Sequence, residues 1–316
     1  MPAVIGTAPG KIILAGEHAV VYGRHAIAVP VSKVQAKASV YPGPDLKPGV
    51  IRITAPDIQT DCNLSELSEE HPISKVFSLT KEYLNLNHFP AMSLQIRSSI
   101  PIAAGMGSGA AVSIAILKAL FTYLGKPFSP EEMSRLSFQI EKIYHGNPSG
   151  IDNTVIAHNR PIFYKRNEPL QLLRVGSPLT FVIADCGVKS TTRDMVENVR
   201  LQWSESPSKY EALFDQMDWL AVQAKNAIES EKPDNLGDLL TQNHQLLQRI
   251  RVSCPELDHL VNTALQHGAE GAKLCGAGGG GNIIALVNQS AAQLLAQTLQ
   301  HSGAVSTIIT TIQQND

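Results

Sequence analysis

The chain reads as an α+β protein of two domains, and three observations carry that reading. Strand-like runs crowd the first half, a long helical stretch over 191–267 fills most of the second, and the two never settle into the strict β-α-β-α alternation of a doubly wound sheet. At 316 residues the chain can bury a substantial core and is long enough for two domains or one large one. The boundary is expected near residue 175, giving domains 1–175 and 176–316.

The elements follow in order. Strands are expected near 3–8, 26–40, 50–54 and 92–98, with a helix near 72–85. Val112–Leu124 is rich in good helix formers and is stopped by Gly125 and Pro127. In Ser129-Pro-Glu-Glu132, Ser129 is an N-cap, Pro130 a first helical residue and Glu132 the far side of a capping box, so a helix should run from there to about Tyr144. Strands near 161–164 and 179–185 precede the helical stretch, which Pro207, Pro233 and Pro255 interrupt. A strand over 282–287, a helix near 290–301 and a strand near 304–311 complete the chain.

Composition excludes several function classes. Lys and Arg total 26 against 28 Asp and Glu, a net charge of −2, with no basic stripe for nucleic acid. Cys62, Cys186, Cys254 and Cys275 are scattered without C-x-x-C spacing and no signal peptide is legible, which together read as reduced thiols in a cytoplasmic protein. The longest apolar stretch is broken by Lys118 and is too short for a membrane span, so a soluble chain is expected. The ten histidines show no H-x-x-x-H, which argues against a dedicated zinc site.

Two glycine loops point to a bound anion. Gly276-Ala-Gly-Gly-Gly-Gly281 lets main-chain N–H groups come close to a ligand at a high entropic cost, and phosphate oxygens suit such donors. Gly276, Gly278 and Gly281 nominally fit G-x-G-x-x-G, yet Asn282-Ile-Ile-Ala-Leu-Val287 follows as a strand where a dinucleotide fingerprint needs a helix. A glycine-rich hairpin between strands is the other reading of this run. The second loop, Pro101-Ile-Ala-Ala-Gly-Met-Gly-Ser-Gly-Ala-Ala111, opens directly into a helix, where unpaired N–H groups and the positive end of the helix dipole coincide. It is not a Walker A loop, because it has no lysine, and small residues there would also serve close helix packing.

Charged residues in apolar surroundings are the candidates for chemistry. Pro9-Gly-Lys-Ile-Ile-Leu-Ala-Gly-Glu-His18 places Lys11, Glu17 and His18 among apolar neighbours, where charges rarely sit unpaired. A lysine beside a turn is also an ordinary surface residue. Glu141 falls near the end of a helix, where the dipole disfavours a carboxylate unless a cation such as Mg²⁺ compensates. Asp152 suits either catalysis or an N-cap for 153–157.

Four strings, APGKIILAGEHAVVYG at 8–23, PIAAGMGSGAA at 101–111, EKIYHGNPSGIDN at 141–153 and KLCGAGGGG at 273–281, resemble the GHMP kinases in order and over nearly the whole chain. Within that superfamily they are most similar to the mevalonate kinase branch. The resemblance implies an N-terminal domain like the second domain of ribosomal protein S5, a ferredoxin-like C-terminal domain and an active site in the cleft between them. It implies transfer of the ATP γ-phosphate to the C5 hydroxyl of (R)-mevalonate, with Mg²⁺ as cofactor and a homodimer as the assembly. Asp152 then matches the base and Lys11 the cation beside the reacting hydroxyl. Pro101, Ala104, Gly105, Met106, Gly107, Ser108, Gly109 and Ala110 match the ATP-binding loop; Glu17, His18, Thr192, Gly276, Ala277 and Gly278 match substrate contacts. Glu141 matches a Mg²⁺ ligand.

The usual second motif has a metal-binding serine where this chain has Gly109, so Ser108 is expected to take that role, or water beside Glu141 to replace it. Cys275 stands where a hydroxyl residue is common. Another small-alcohol GHMP kinase, such as phosphomevalonate kinase, is the nearest alternative function, and a non-catalytic nucleotide sensor the more distant one.

Overall fold

A computed structural model describes residues 3–43, 45–101, 104–145 and 148–313. Their contacts divide the chain into two compact units, one of residues 1–10, 34–101 and 107–159, the other of 11–33, 102–106 and 160–316. The chain thus passes between units after Gly10, Lys33, Pro101, Met106 and Asn159. Two long strands, β1 (Val4–Ala15) and β2 (Ala26–Pro42), each contribute one part to each unit.

In the first unit, the second half of β2 alternates: Val34, Ala36, Ala38 and Val40 are buried while Gln35 and Lys37 are exposed. Period-two patterning of this kind fixes which face meets the core, at about 1.5–3 kcal/mol per large aliphatic side chain buried. β3 (Ile51–Ala55) pairs antiparallel with β4 (Thr60–Asn63) and parallel with β5 (Met92–Ser98), which pairs antiparallel with β2. Among the described residues, the α-helices of this unit are α1 (Pro72–Tyr83), α2 (Ser108–Tyr123), α3 (Pro130–His145) and α4 (Ile151–His158). Helices α2, α3 and α4 pack against one another.

α2 is apolar on nearly all sides and is buried accordingly. It comes so near β1 that a Cβ at Gly6 would lie 2.2 Å from the Ala115 carbonyl oxygen. Its first residue is Ser108, four residues before the expected start, because the small residues Gly109, Ala110 and Ala111 enter the first turn. α3 begins as expected: Glu132 N–H donates to Ser129 Oγ at 3.2 Å and Ser129 N–H to Glu132 Oε2 at 2.7 Å.

In the second unit, the first half of β2 pairs with β6 (Ile162–Tyr164) and β6 with β7 (Gln171–Leu172). A separate antiparallel sheet holds β8 (Leu179–Asp185), β9 (Gly271–Cys275), β10 (Asn282–Leu286) and β11 (Ser306–Ile312) in the order β11-β8-β10-β9. Helices α5 (Thr192–Glu205), α6 (Pro207–Glu229), α7 (Leu236–Arg249) and α8 (Pro255–Gln266) lie between β8 and β9 in sequence, and α9 (Ala292–His301) lies between β10 and β11. This is the β-α-β-β-α-β sequence of a ferredoxin-like domain, enlarged by extra helices.

Pro207 and Pro255, expected as interruptions, start α6 and α8, where a missing N–H costs nothing. α7 sits tightly on β9, since a Cβ at Gly271 would lie 2.0 Å from the Gly237 carbonyl oxygen. Among the described residues no helix is long and apolar enough to cross a membrane.

Candidate active site

The candidate residues fall into both units. In the second, β1 carries Lys11, only 3% exposed in an otherwise apolar strand, with its N–H donating to Met106 O at 3.1 Å. After β1 the chain turns sharply at Gly16 (φ +88°), where a Cβ would meet the His25 carbonyl oxygen at 2.2 Å. Glu17 and His18 follow, both buried. His18 holds a positive φ (59°) with ψ −50°, outside the left-handed helical region, costly for a residue with a Cβ and the kind of local strain that collects at functional sites.

The His18 Nε2 lies 2.8 Å from Ala277 O. Because it faces a carbonyl, Nε2 carries the proton, and burial pushes the imidazole pKa below its usual value. The Glu17 carboxylate is engaged on both oxygens, by the Lys273 ammonium and by Asn243 Nδ2 at 3.0 Å.

The run 276–281 is a corner where several backbone segments of this unit meet. A Cβ on Gly278 would lie 1.9 Å from Val252 O, and one on Gly280 would lie 2.3 Å from Val188 O. Gly279 N–H donates to Val252 O at 2.8 Å, Gly281 N–H to Val188 O at 2.9 Å, and Ser190 Oγ to Gly278 O at 2.5 Å. These glycines are demanded by the protein's own backbone, and two of the N–H groups read from sequence as ligand donors are used within the fold. The strand β10 follows directly, so the run is no dinucleotide fingerprint.

The structure brings the two glycine loops together in this unit. Asn282 Nδ2 donates to Ala104 O at 2.5 Å, and a Cβ on Gly105 (φ +71°) would come within 3.4 Å of Cys275 O. Cys275 itself is buried and bonded to β1: Ile13 N–H donates to its sulfur at 3.3 Å. Burial raises its thiol pKa, so it is an inert packing residue. Thr191 caps α5 by accepting Asp194 N–H at 3.1 Å, leaving the exposed Thr192 as the first helical residue.

In the first unit, α2 opens behind Gly107 (φ 71°), whose lack of a side chain leaves the first turn without a side-chain cap. Ser108 is half-buried and Gly109 is exposed with open space where a Cβ would be. A long helix opening in this way presents N–H donors and a positive dipole end to an anion. Asp152 lies in the first turn of α4, half-buried, while Gly150 (φ 88°) occupies the N-cap, so capping is not its role.

Its neighbours fasten α4 to α3. Asn153 Nδ2 donates to Ser134 O at 3.1 Å and to Ser134 Oγ at 2.8 Å, and Ser134 Oγ lies 3.2 Å from Thr154 Oγ1. Glu141 is half-buried near the end of α3. Pro101 is half-buried; Gly146 and Asn147 of the HGNPSG string, with Ile102 and Ala103 of the upstream loop, lie outside the described residues.

Sequence reasoning missed Ser190, Asn243, Lys273 and the pinning pair Ser134–Asn153. Only Lys273 had a visible signal, as a charge inside an apolar strand.

Residues 71–159 match the model of the GHMP kinases N terminal domain, and residues 224–305 match that of the GHMP kinases C terminal domain. The mevalonate kinase of Pyrococcus horikoshii is 35% identical over 304 residues, which covers 90% of this chain and 88% of that protein.

The chain belongs to the GHMP kinase family. As a GHMP kinase it is an ATP-using phosphotransferase with that family's two-domain α+β fold. Solved structures agree over the full length. The L. major mevalonate kinase in complex with R-mevalonate has a TM-score of 0.83 at 27% identity, covering 100% of this GHMP kinase and 97% of that chain. The Methanococcus jannaschii mevalonate kinase has a TM-score of 0.84 at 26% identity, covering 99% of each.

Proposed function

We propose that the chain transfers the γ-phosphoryl group of ATP to the C5 hydroxyl of (R)-mevalonate, giving 5-phosphomevalonate and ADP. The observation that carries this reading is the kinship with mevalonate kinases over 90% of the chain, because the motif chemistry alone is shared with galactokinase-type enzymes.

The roles are those the family resemblance implies, and side-chain chemistry supports them. An alkanol is a weak nucleophile at neutral pH, so Asp152 accepts the hydroxyl proton as the oxygen bonds to the γ-phosphorus and the bridge to ADP breaks. Lys11 contributes a fixed positive charge from a buried strand, where such a charge acts more strongly than in water. The opening of α2, with Pro101 and Ala104–Ala110, holds the ATP phosphates.

Glu141 and Ser108 are oxygen donors, half-buried and fit for Mg²⁺, which is commonly held by one or two carboxylates together with substrate phosphates. When bound, Mg²⁺ neutralises phosphate charge. His18, Thr192 and the backbone at Gly276–Gly278 take the mevalonate side of the site. The four cysteines are free thiols, the state of a reducing compartment such as the cytoplasm, and a homodimer is the assembly to test by light scattering.

The test is ADP release from Mg²⁺-ATP with mevalonate, phosphomevalonate, homoserine and galactose, with Asp152→Asn alongside the parent. Mevalonate-dependent turnover is expected, with kcat falling about a hundredfold or more in the variant. Turnover with a different alcohol alone would overturn the substrate, and an Asp152→Asn enzyme of parental kcat would overturn the base.

A further inference from the structure

Lys273 has no solvent exposure, lies in β9 immediately before the glycine run, and uses its ammonium group entirely inside the second unit. It pairs with Glu17 and donates to Leu274 O at 2.6 Å and Ile13 O at 3.4 Å. The second oxygen of Glu17 accepts from Asn243 of α7, itself fully buried. The next residue on α7, His244, accepts the Leu274 N–H at Nδ1 over 3.3 Å.

These contacts close a ring. Glu17 precedes His18, His18 donates to Ala277 O, and Ala277 lies a few residues beyond Lys273 on the same strand and loop. The strained backbone of His18 is therefore held from two sides, by the Glu17–Lys273 pair and by its own imidazole.

We infer that Lys273 and Asn243 are positioning residues for phosphoryl transfer, which fix His18 and the start of the 276–281 loop through Glu17 without touching substrate. Stability is a poor explanation for this pair. Burying two charges costs several kcal/mol of desolvation, and apolar replacements of similar size are often neutral or stabilising. What a buried ionic ring with both Glu17 oxygens and the Lys273 ammonium engaged adds is a single geometry, and displacements of about 1 Å in an active site cost about a hundredfold in rate.

This inference rests on the kinase reading, and the experiment separates the two. The parent enzyme, Glu17→Leu/Lys273→Met and Asn243→Ala are compared by thermal midpoint, by kcat and KM for mevalonate and ATP, and by the Nε2–H signal of His18 in ¹⁵N-histidine-labelled protein. The double variant replaces the ion pair by apolar groups. It is expected to melt near the parent yet lose about tenfold to a hundredfold in kcat. KM for ATP is expected to hold, and the hydrogen-bonded His18 signal to disappear.

Parental kcat with a parental His18 signal in a folded double variant would overturn the inference. If that variant does not fold, Asn243→Ala decides, since it keeps the ion pair. A loss of about fivefold in kcat with a displaced His18 signal supports positioning, and parental values of both refute it. If the parent shows no turnover with mevalonate, the substrate reading fails, while the His18 signal still tests the ring.

Discussion

The two glycine loops look alike in sequence and differ in what surrounds their glycines. In 276–281 the glycines answer to the protein: Gly278 and Gly280 have carbonyl oxygens of Val252 and Val188 where a Cβ would go. In the loop that opens α2, Gly109 faces open space and no neighbour forbids a side chain there. A glycine run can thus mark a crowded backbone corner or an uncrowded helix opening, and only the surroundings of each Cβ tell them apart.

The comparison breaks most readily at Gly278. Gly278→Ala at φ +81° with a contact at 1.9 Å combines a disfavoured backbone with a severe overlap. A loss of about 3 kcal/mol or more is expected, seen as a thermal midpoint depressed by many degrees or failure to fold. A parental midpoint would mean the corner is looser than described.

A second effect comes from the anchor of that corner. Burial holds the His244 imidazole down at about 4, with its Nε2 3.2 Å from Asp258 Oδ1, near enough for an ion pair but off the line of a hydrogen bond. The unfolded chain takes up a proton near pH 6.5 that the folded chain refuses until about pH 4. Stability from this group is therefore complete above pH 6.5 and lost on acidification towards pH 4, on the order of 2–3 kcal/mol. Urea titrations over that window should show a shallower fall for His244→Gln; parallel curves would remove His244 from the acid response.

The smallest effect is expected at Gly109→Ala. With room for the methyl group and a helical backbone, a gain of about 0.5–1 kcal/mol is expected. Destabilisation there would erase the contrast between the loops.

Local signals were legible and distant ones were not. The capping box of Ser129 and Glu132 joins residues three apart, and prolines mark the starts of α6 and α8, so both could be read from neighbours along the chain. The short strands β4 and β7 escaped because polar or exposed residues fill them. Lys11, Glu17, His18 and Asp152 stood out as polar residues in apolar or glycine-rich strings. The pairing that holds Glu17 did not, because Lys273, though visible as a charge in an apolar strand, is 256 positions away and nothing in the sequence joins the two. The same separation hid the reason for Gly278, whose obstacle is a carbonyl of Val252 and no feature of the loop itself.

The repeated passage of the chain between units bears on how the protein is made. Residues 11–33 leave the ribosome well before most of the unit they complete, which lies from Arg160 onward. Their apolar strand segments must wait, uncovered, while α1 to α4 emerge, which exposes the nascent chain to wrong pairings. It also means that no single cut yields a self-sufficient fragment: a product starting at Arg160 lacks the part of β1 that carries Lys11, the turn that carries Glu17 and the first half of β2.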